Sequence, residues 1–329
     1  MKRSCFIDGL KFILCMIIFF GHYSYFISQE YADVIITDSF VHLCNKISPL
    51  CVSIFFMISG YFCCKNLEKY DSVDYLKKQV KKLSPMYVAS IVLFVIVSFI
   101  YCIKAKHFYA GRTVELSNLF FTLTGIQAWI GHNFNINGPC WYVSSLFFCL
   151  CVVCILYKYF NNKKLVTVLV FLISLSLMQM NCDFYPLSYK NILALVNFSF
   201  GILLNYLSPD RKKIYMLVSA LCCFICIVSF FMKINIMGDR QLFGTFFAGP
   251  FCIFFSELDI FSRFKKMSVL AELSYSIYLF QIPVFILNGI LFETRINYDS
   301  RIVSILVFSE ILILSLFAGL INKKCLSKK

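Results

Sequence analysis

The chain has 329 residues, of which 60% are hydrophobic and only 15% charged, and its mean hydropathy is +0.79. A water-soluble domain of this size carries about a quarter charged residues, so composition excludes one and indicates an integral membrane protein. The net charge of +14 does not call for nucleic acid, because basic loops also set membrane topology.

Apolar runs near twenty residues indicate an all-α polytopic bundle rather than a barrel, whose strands would alternate in polarity. Ten spans follow in chain order: 6–27, 42–64, 84–103, 141–157, 165–180, 192–207, 214–232, 243–258, 269–291 and 302–321. The first has the basic start of a signal peptide. No small-residue cleavage site follows it and it is long enough to span, so it is retained as a helix. The sixth is short. Residues 119–130 are semi-polar and too short to cross, which reads as an interfacial or re-entrant helix in the longest outer loop.

If the N-terminus is cytoplasmic, the inner segments hold Lys2 and Arg3, residues 65–82, Lys158 with Lys163 and Lys164, residues 211–213, Arg263 with Lys265 and Lys266, and the tail 323–329. They contain about two-thirds of the Lys and Arg residues, the sense the positive-inside rule demands. Both termini are therefore expected in the cytoplasm. No internal repeat, linker or second domain is visible, so residues 1–329 read as one transmembrane domain with no fused soluble part.

The first span carries an acid, a base and a buried imidazole. Lys11 and His22 are almost three turns apart, on nearly one face and roughly 16 Å apart along the axis. Asp8 precedes Lys11 by one turn. Ionisable groups inside a membrane belong against protein or trapped water and mark function by default. His22 could act as a general base; the competing reading is a core histidine hydrogen-bonded to a neighbouring helix. Lys11 could meet a phosphate or pair with Asp8.

Further along, Lys78, Lys81 and Lys82 occupy i, i+3 and i+4 of one helical face. They suit either a phosphate clamp for a cytoplasmic donor or an anchor on anionic lipid head groups. Pro85 is expected at the first turn of the third span, where its missing N–H does no harm. In Phe55-Phe-Met-Ile-Ser-Gly-Tyr61 the Ser-Gly step suits close helix packing. Trp141 and Tyr142 open the fourth span as an aromatic belt would. In the ninth, Ser274, Tyr278 and Gln281 fall at i, i+4 and i+7, a polar stripe that belongs against helices or a cavity. Glu310 lies near the middle of the tenth. Most of the seventeen cysteines sit in apolar spans as small hydrophobes; Cys151 and Cys154 form a CxxC with no second pair nearby. The four histidines lack metal-ligand spacing, so no metal is expected.

The order of these motifs resembles the membrane-bound acyltransferase-3 family, the O-acyltransferases that decorate bacterial surface polysaccharides. Asp8-Gly-Leu-Lys11 with His22 is followed by the 55–61 motif, a basic segment ending Leu83-Ser-Pro-Met-Tyr87, the Trp141-Tyr142 entry and Leu273-Ser-Tyr-Ser-Ile-Tyr-Leu279. The resemblance runs from about residue 4 to 321. It implies ten spans in the bacterial inner membrane, acetyl-CoA as acyl donor and a sugar hydroxyl of a polysaccharide or lipid-linked precursor as acceptor.

It also implies a catalytic role for His22, and Asp8, on the same helical stripe, is expected to join it in the catalytic set. The phosphates of CoA fall to Lys11, Lys78, Lys81 and Lys82, and the acceptor to Trp141, Tyr142, Ser274, Tyr278 and Gln281. Departures are visible: Lys11 stands for the family's arginine, Gln79 and Lys82 for its Arg-x-x-Arg, and Gln281 for a frequent histidine. Lysine keeps charge without the bidentate fork, and Gln281 cannot shuttle a proton. A transporter or flippase, or an inactive scaffold of a polysaccharide assembly, are the alternative functions. Membrane lipids are expected partners, nucleic acid is not, and a homo-oligomer stays open.

Overall fold

In a bilayer the backbone must satisfy its own hydrogen bonds, and an apolar chain does so by forming helices. The structure, a computed structural model, describes residues 5–30, 39–130, 136–231, 240–258 and 267–292. Among them no β-strand occurs beyond an isolated bridge between Phe184 and Leu187. In chain order the helices are α1 (Cys5–Glu30), α2 (Ser39–Leu67), α3 (Ser72–Ala105), the short α4 (Leu116–Leu123), α5 (Cys140–Tyr159), α6 (Lys163–Gln179), α7 (Tyr189–Leu203) and α8 (Pro209–Phe231). They are followed by α9 (Arg240–Phe243), joined to α10 (Gly249–Phe255) through a π-helical turn, and by α11 (Met267–Phe292).

Among the described residues, five stretches are long and apolar enough to cross a membrane: Phe6–Tyr23, Leu43–Leu67, Ser72–Ala105, Cys140–Tyr159 and Leu273–Ile290. The chain is a multi-pass helical membrane protein. The tenth expected span, with Glu310, lies outside the described residues, as do His132 and the basic group Arg263, Lys265 and Lys266.

Two expectations change. Pro85 does not start a helix; it lies inside the continuous 34-residue α3. Its ring removes one backbone bond, the one to the carbonyl of Lys81, a residue exposed to solvent that can supply the partner. In 119–130 only the part up to Leu123 is helical; turns follow, with Gly125 at φ +75.

The chain divides into two compact units, and α1, α2, α3, α5 and α11 each contribute residues to both. One comprises Met1–Lys11, Pro49–Val80 and Ser145–Ser268. Its centre is α7, where residues 191–199 are all buried, which suits a short helix packed on every side. The polar residues of α7 are satisfied locally. Ser145 donates to Asn191 Oδ1 at 2.7 Å, Thr245 donates to Asn197 Oδ1 at 2.6 Å, and Ser199 donates to the Leu195 carbonyl. The Ser59-Gly60 step does what its composition suggests. An added Cβ on Gly60 would stand 1.9 Å from the Phe198 carbonyl oxygen, and one on Gly201 2.1 Å from that of Met57, so α2 and α7 touch backbone to backbone.

The other unit comprises Phe12–Ser48, Lys81–Ser144 and Val269–Lys329. Asn137 is a keystone of its described part. The residue is fully buried at φ +41, a left-handed conformation that asparagine tolerates better than most residues. Its Nδ2 donates to Ser90 Oγ and to the Leu279 carbonyl, both at 3.0 Å, tying the start of α5 to α3 and α11. Asn137→Ala should lower stability by about 1–3 kcal/mol, because it strands buried polar groups as well as losing the turn preference. Asn137→Gly restores the turn alone and should recover only part, read as thermal unfolding in detergent.

Candidate active site

The candidate site is built where α1 and α11 run side by side. Gly21 precedes His22 and lets α2 approach: an added Cβ there would lie 3.2 Å from Asn45 Cα. The half-buried His22 places Nδ1 3.0 Å from Oε1 of Gln281, a fully buried residue. Gln281 Nε2 donates in turn to the Tyr278 carbonyl at 2.7 Å. Two turns earlier, Cys15 Sγ donates to the Ser274 carbonyl at 3.1 Å. Both contacts pair residues 259 apart in sequence, so the helices are parallel and keep one register. Phe285 fills the space along this seam, its ring 5.3 Å from Phe19 and 5.8 Å from Tyr23.

The polar stripe Ser274, Tyr278 and Gln281 is buried, as the stripe on an otherwise apolar helix requires. Tyr142, at the start of α5, meets the Tyr278 ring edge to face at 5.5 Å. Trp141 beside it is partly exposed. The hydrogen bond to a neighbouring helix that a core histidine would make is therefore present, and it is made by a residue that cannot titrate.

Sequence spacing gave no sign of Arg112. Its guanidinium, in the segment before α4, acts electrostatically on His22. Burial lowers its proton affinity while Tyr25 and Tyr109 raise it; arginine remains charged under such conditions.

Asp8 is buried on α1, and the Lys11 ammonium lies 5.6 Å over the Phe62 ring. Lys78, Lys81 and Lys82 are exposed on α3. Lys78 hydrogen-bonds the Tyr70 hydroxyl at 3.1 Å and lies 4.2 Å over its ring, which pulls that phenol below its ordinary value. A second cationic group gathers around one carboxylate. Lys65 and Lys212 both pair with Glu257, at 3.3 and 3.2 Å, and Tyr61 donates to the same carboxylate. These residues come from α2, α8 and the segment after α10, so no local pattern could have joined them. All three charged side chains are partly exposed, which limits each pair to roughly 0.2–1 kcal/mol. Cys151 and Cys154 are free thiols on α5.

A multi-pass helical bundle with a histidine held inside its first membrane helix defines the class. The model of the acyltransferase-3 family, described as an acyltransferase domain, matches residues 6–321, nearly the whole chain. The protein belongs to that family and is a membrane acyltransferase. Comparison with curated proteins found no match, and comparison with solved structures found none either.

Proposed function

We propose that this acyltransferase moves an acetyl group from cytoplasmic acetyl-CoA to a sugar hydroxyl of a cell-surface polysaccharide or its lipid-linked precursor. It would do so as a ten-span protein of the bacterial inner membrane with both termini in the cytoplasm. The observation that carries the reading is His22: an imidazole inside an apolar helix, oriented by Gln281. A base is what a hydroxyl needs to attack a thioester at neutral pH. His22 takes the hydroxyl proton as the new ester bond forms, or carries the acyl group transiently itself. The C–S bond then breaks and the CoA sulfur leaves as the thiol. Asp8 and Lys11 share the helix of His22 and belong to the same functional set. Trp141, Tyr142, Ser274 and Tyr278 are the groups proposed to face the acceptor.

Lys11, Lys78, Lys81 and Lys82 are proposed to meet the phosphates of CoA as point charges. The exposure of Lys78, Lys81 and Lys82 supports a role at the water interface, where a lipid head group is the rival ligand. Replacing Lys78, Lys81 and Lys82 together by Ala is expected to raise KM for acetyl-CoA about tenfold at low salt with kcat little changed, since exposed charge contacts contribute ~0.2–1 kcal/mol each. Steady-state kinetics at two ionic strengths check this. An unchanged KM would leave the lysines to the lipid.

The function itself is tested by NMR of surface polysaccharide from cells with and without the protein. An O-acetyl signal that depends on the protein supports the reading, and transfer from acetyl-CoA by purified protein completes it. A polysaccharide without acyl groups in both strains would sink it. A transporter would move its substrate unmodified.

A further inference from the structure

The Gln281 amide has one chemically consistent orientation. The Tyr278 carbonyl oxygen, 2.7 Å from Nε2, can only accept, so the NH2 must face it; the flipped amide would set two oxygens against each other. Oε1 is thereby turned to Nδ1 of His22, 3.0 Å away. An amide oxygen also only accepts, so Nδ1 must carry a hydrogen. In neutral imidazole the lone pair then belongs to Nε2.

We infer that Gln281 is a positioning residue, distinct from a substrate contact, which holds His22 in the Nδ1–H tautomer and makes Nε2 the one atom through which the transferred proton passes. The inference rests on the acyl-transfer reading of His22 given above. Glutamine has no titratable group, so a proton arriving on Nε2 cannot be relayed outward through Nδ1 and the residue at 281. When Nε2 takes the proton of the acceptor hydroxyl, the hydroxyl oxygen bonds the acyl carbon and the C–S bond breaks. The same Nε2 must then return that proton to the departing thiolate. His22 ends the cycle in its starting tautomer, and no outside acid or base is consumed. A histidine at 281 would offer a second station for the proton; this chain does without one.

The test uses full-length protein labelled with 15N-histidine in detergent micelles. The His22 signals are assigned by their loss in His22→Ala. Wild type should show the Nδ1–H tautomer. Gln281→Leu should redistribute it toward Nε2–H and cut kcat for transfer from acetyl-CoA by about 10–100-fold, the range for lost orienting partners, with KM for acetyl-CoA unchanged. Gln281→Glu, whose protonated carboxyl can donate to the Tyr278 carbonyl and accept from Nδ1, should keep the tautomer and restore activity relative to Leu. An Nε2–H tautomer in wild type, or unaltered tautomers and kcat in Gln281→Leu, overturns the inference. Should Gln281→Leu fail to fold, the wild-type spectrum and Gln281→Glu decide. Should wild type transfer no acyl group, the proposed function fails, while the spectra still decide what Gln281 does.

Discussion

Replacing His22 by Ala is expected to remove acetyl transfer, with a fall in kcat on the order of 10²–10⁴-fold for loss of a general base and more if the imidazole carries the acyl group. The variant also strands the Gln281 Oε1, a buried acceptor whose loss of partner costs about 1–3 kcal/mol of stability. Activity must therefore be compared at matched amounts of folded protein. His22→Gln sharpens the test: its amide can donate toward Gln281 while offering no base. Loss of O-acetyl signal in both variants, with His22→Gln as thermostable as wild type, places the chemistry on the imidazole. Wild-type acetylation in either would move the catalyst elsewhere.

The second large effect is structural. Gly201→Ala is expected to destabilise the protein by about 3 kcal/mol or more, the upper end of overpacking costs. Alanine gains up to about 1 kcal/mol of helix propensity over glycine. Against that, the new Cβ would stand 2.1 Å from the Met57 carbonyl oxygen, and backbone cannot swing aside as a side chain can. Gly60→Ala should behave alike, with 1.9 Å to the Phe198 oxygen. Gly21→Ala meets Asn45 Cα at 3.2 Å and should cost much less. Thermal unfolding in one detergent would rank the three, and a ranking in which Gly201→Ala matches or exceeds wild type would contradict the α2–α7 contact.

How much of this could be read beforehand depends on whether the signal was local. Ser59-Gly60 announces a close approach because the small residue is itself the signal; that Gly201 completes the crossing from the other helix is invisible until both are packed. His22 declares itself as an imidazole in an apolar run, and Ser274, Tyr278 and Gln281 declare a buried face by their spacing. Their pairing joins positions 259 residues apart, which no period reveals. Arg112 and the Lys65–Glu257–Lys212 group are hidden for the same reason. Pro85 misleads in the opposite way. Proline favours a first turn, but an exposed position along a long helix tolerates it where solvent can reach the freed carbonyl.

The shared register of α1 and α11 bears on which changes in chain length the protein can accept. Cys15 and His22, seven residues apart, meet Ser274 and Gln281, also seven apart. Deleting one residue between Cys15 and His22 would rotate everything beyond it by about 100° and swing the imidazole off Gln281. The same deletion between Ser274 and Gln281 would do the reverse. One residue removed from each helix would keep the axial register but turn both helices in the same sense, carrying the two faces away from each other. Length variation in this protein therefore belongs in its connecting segments, and, apart from the paired residues at their ends, the two intervals 15–22 and 274–281 should tolerate substitution far better than insertion.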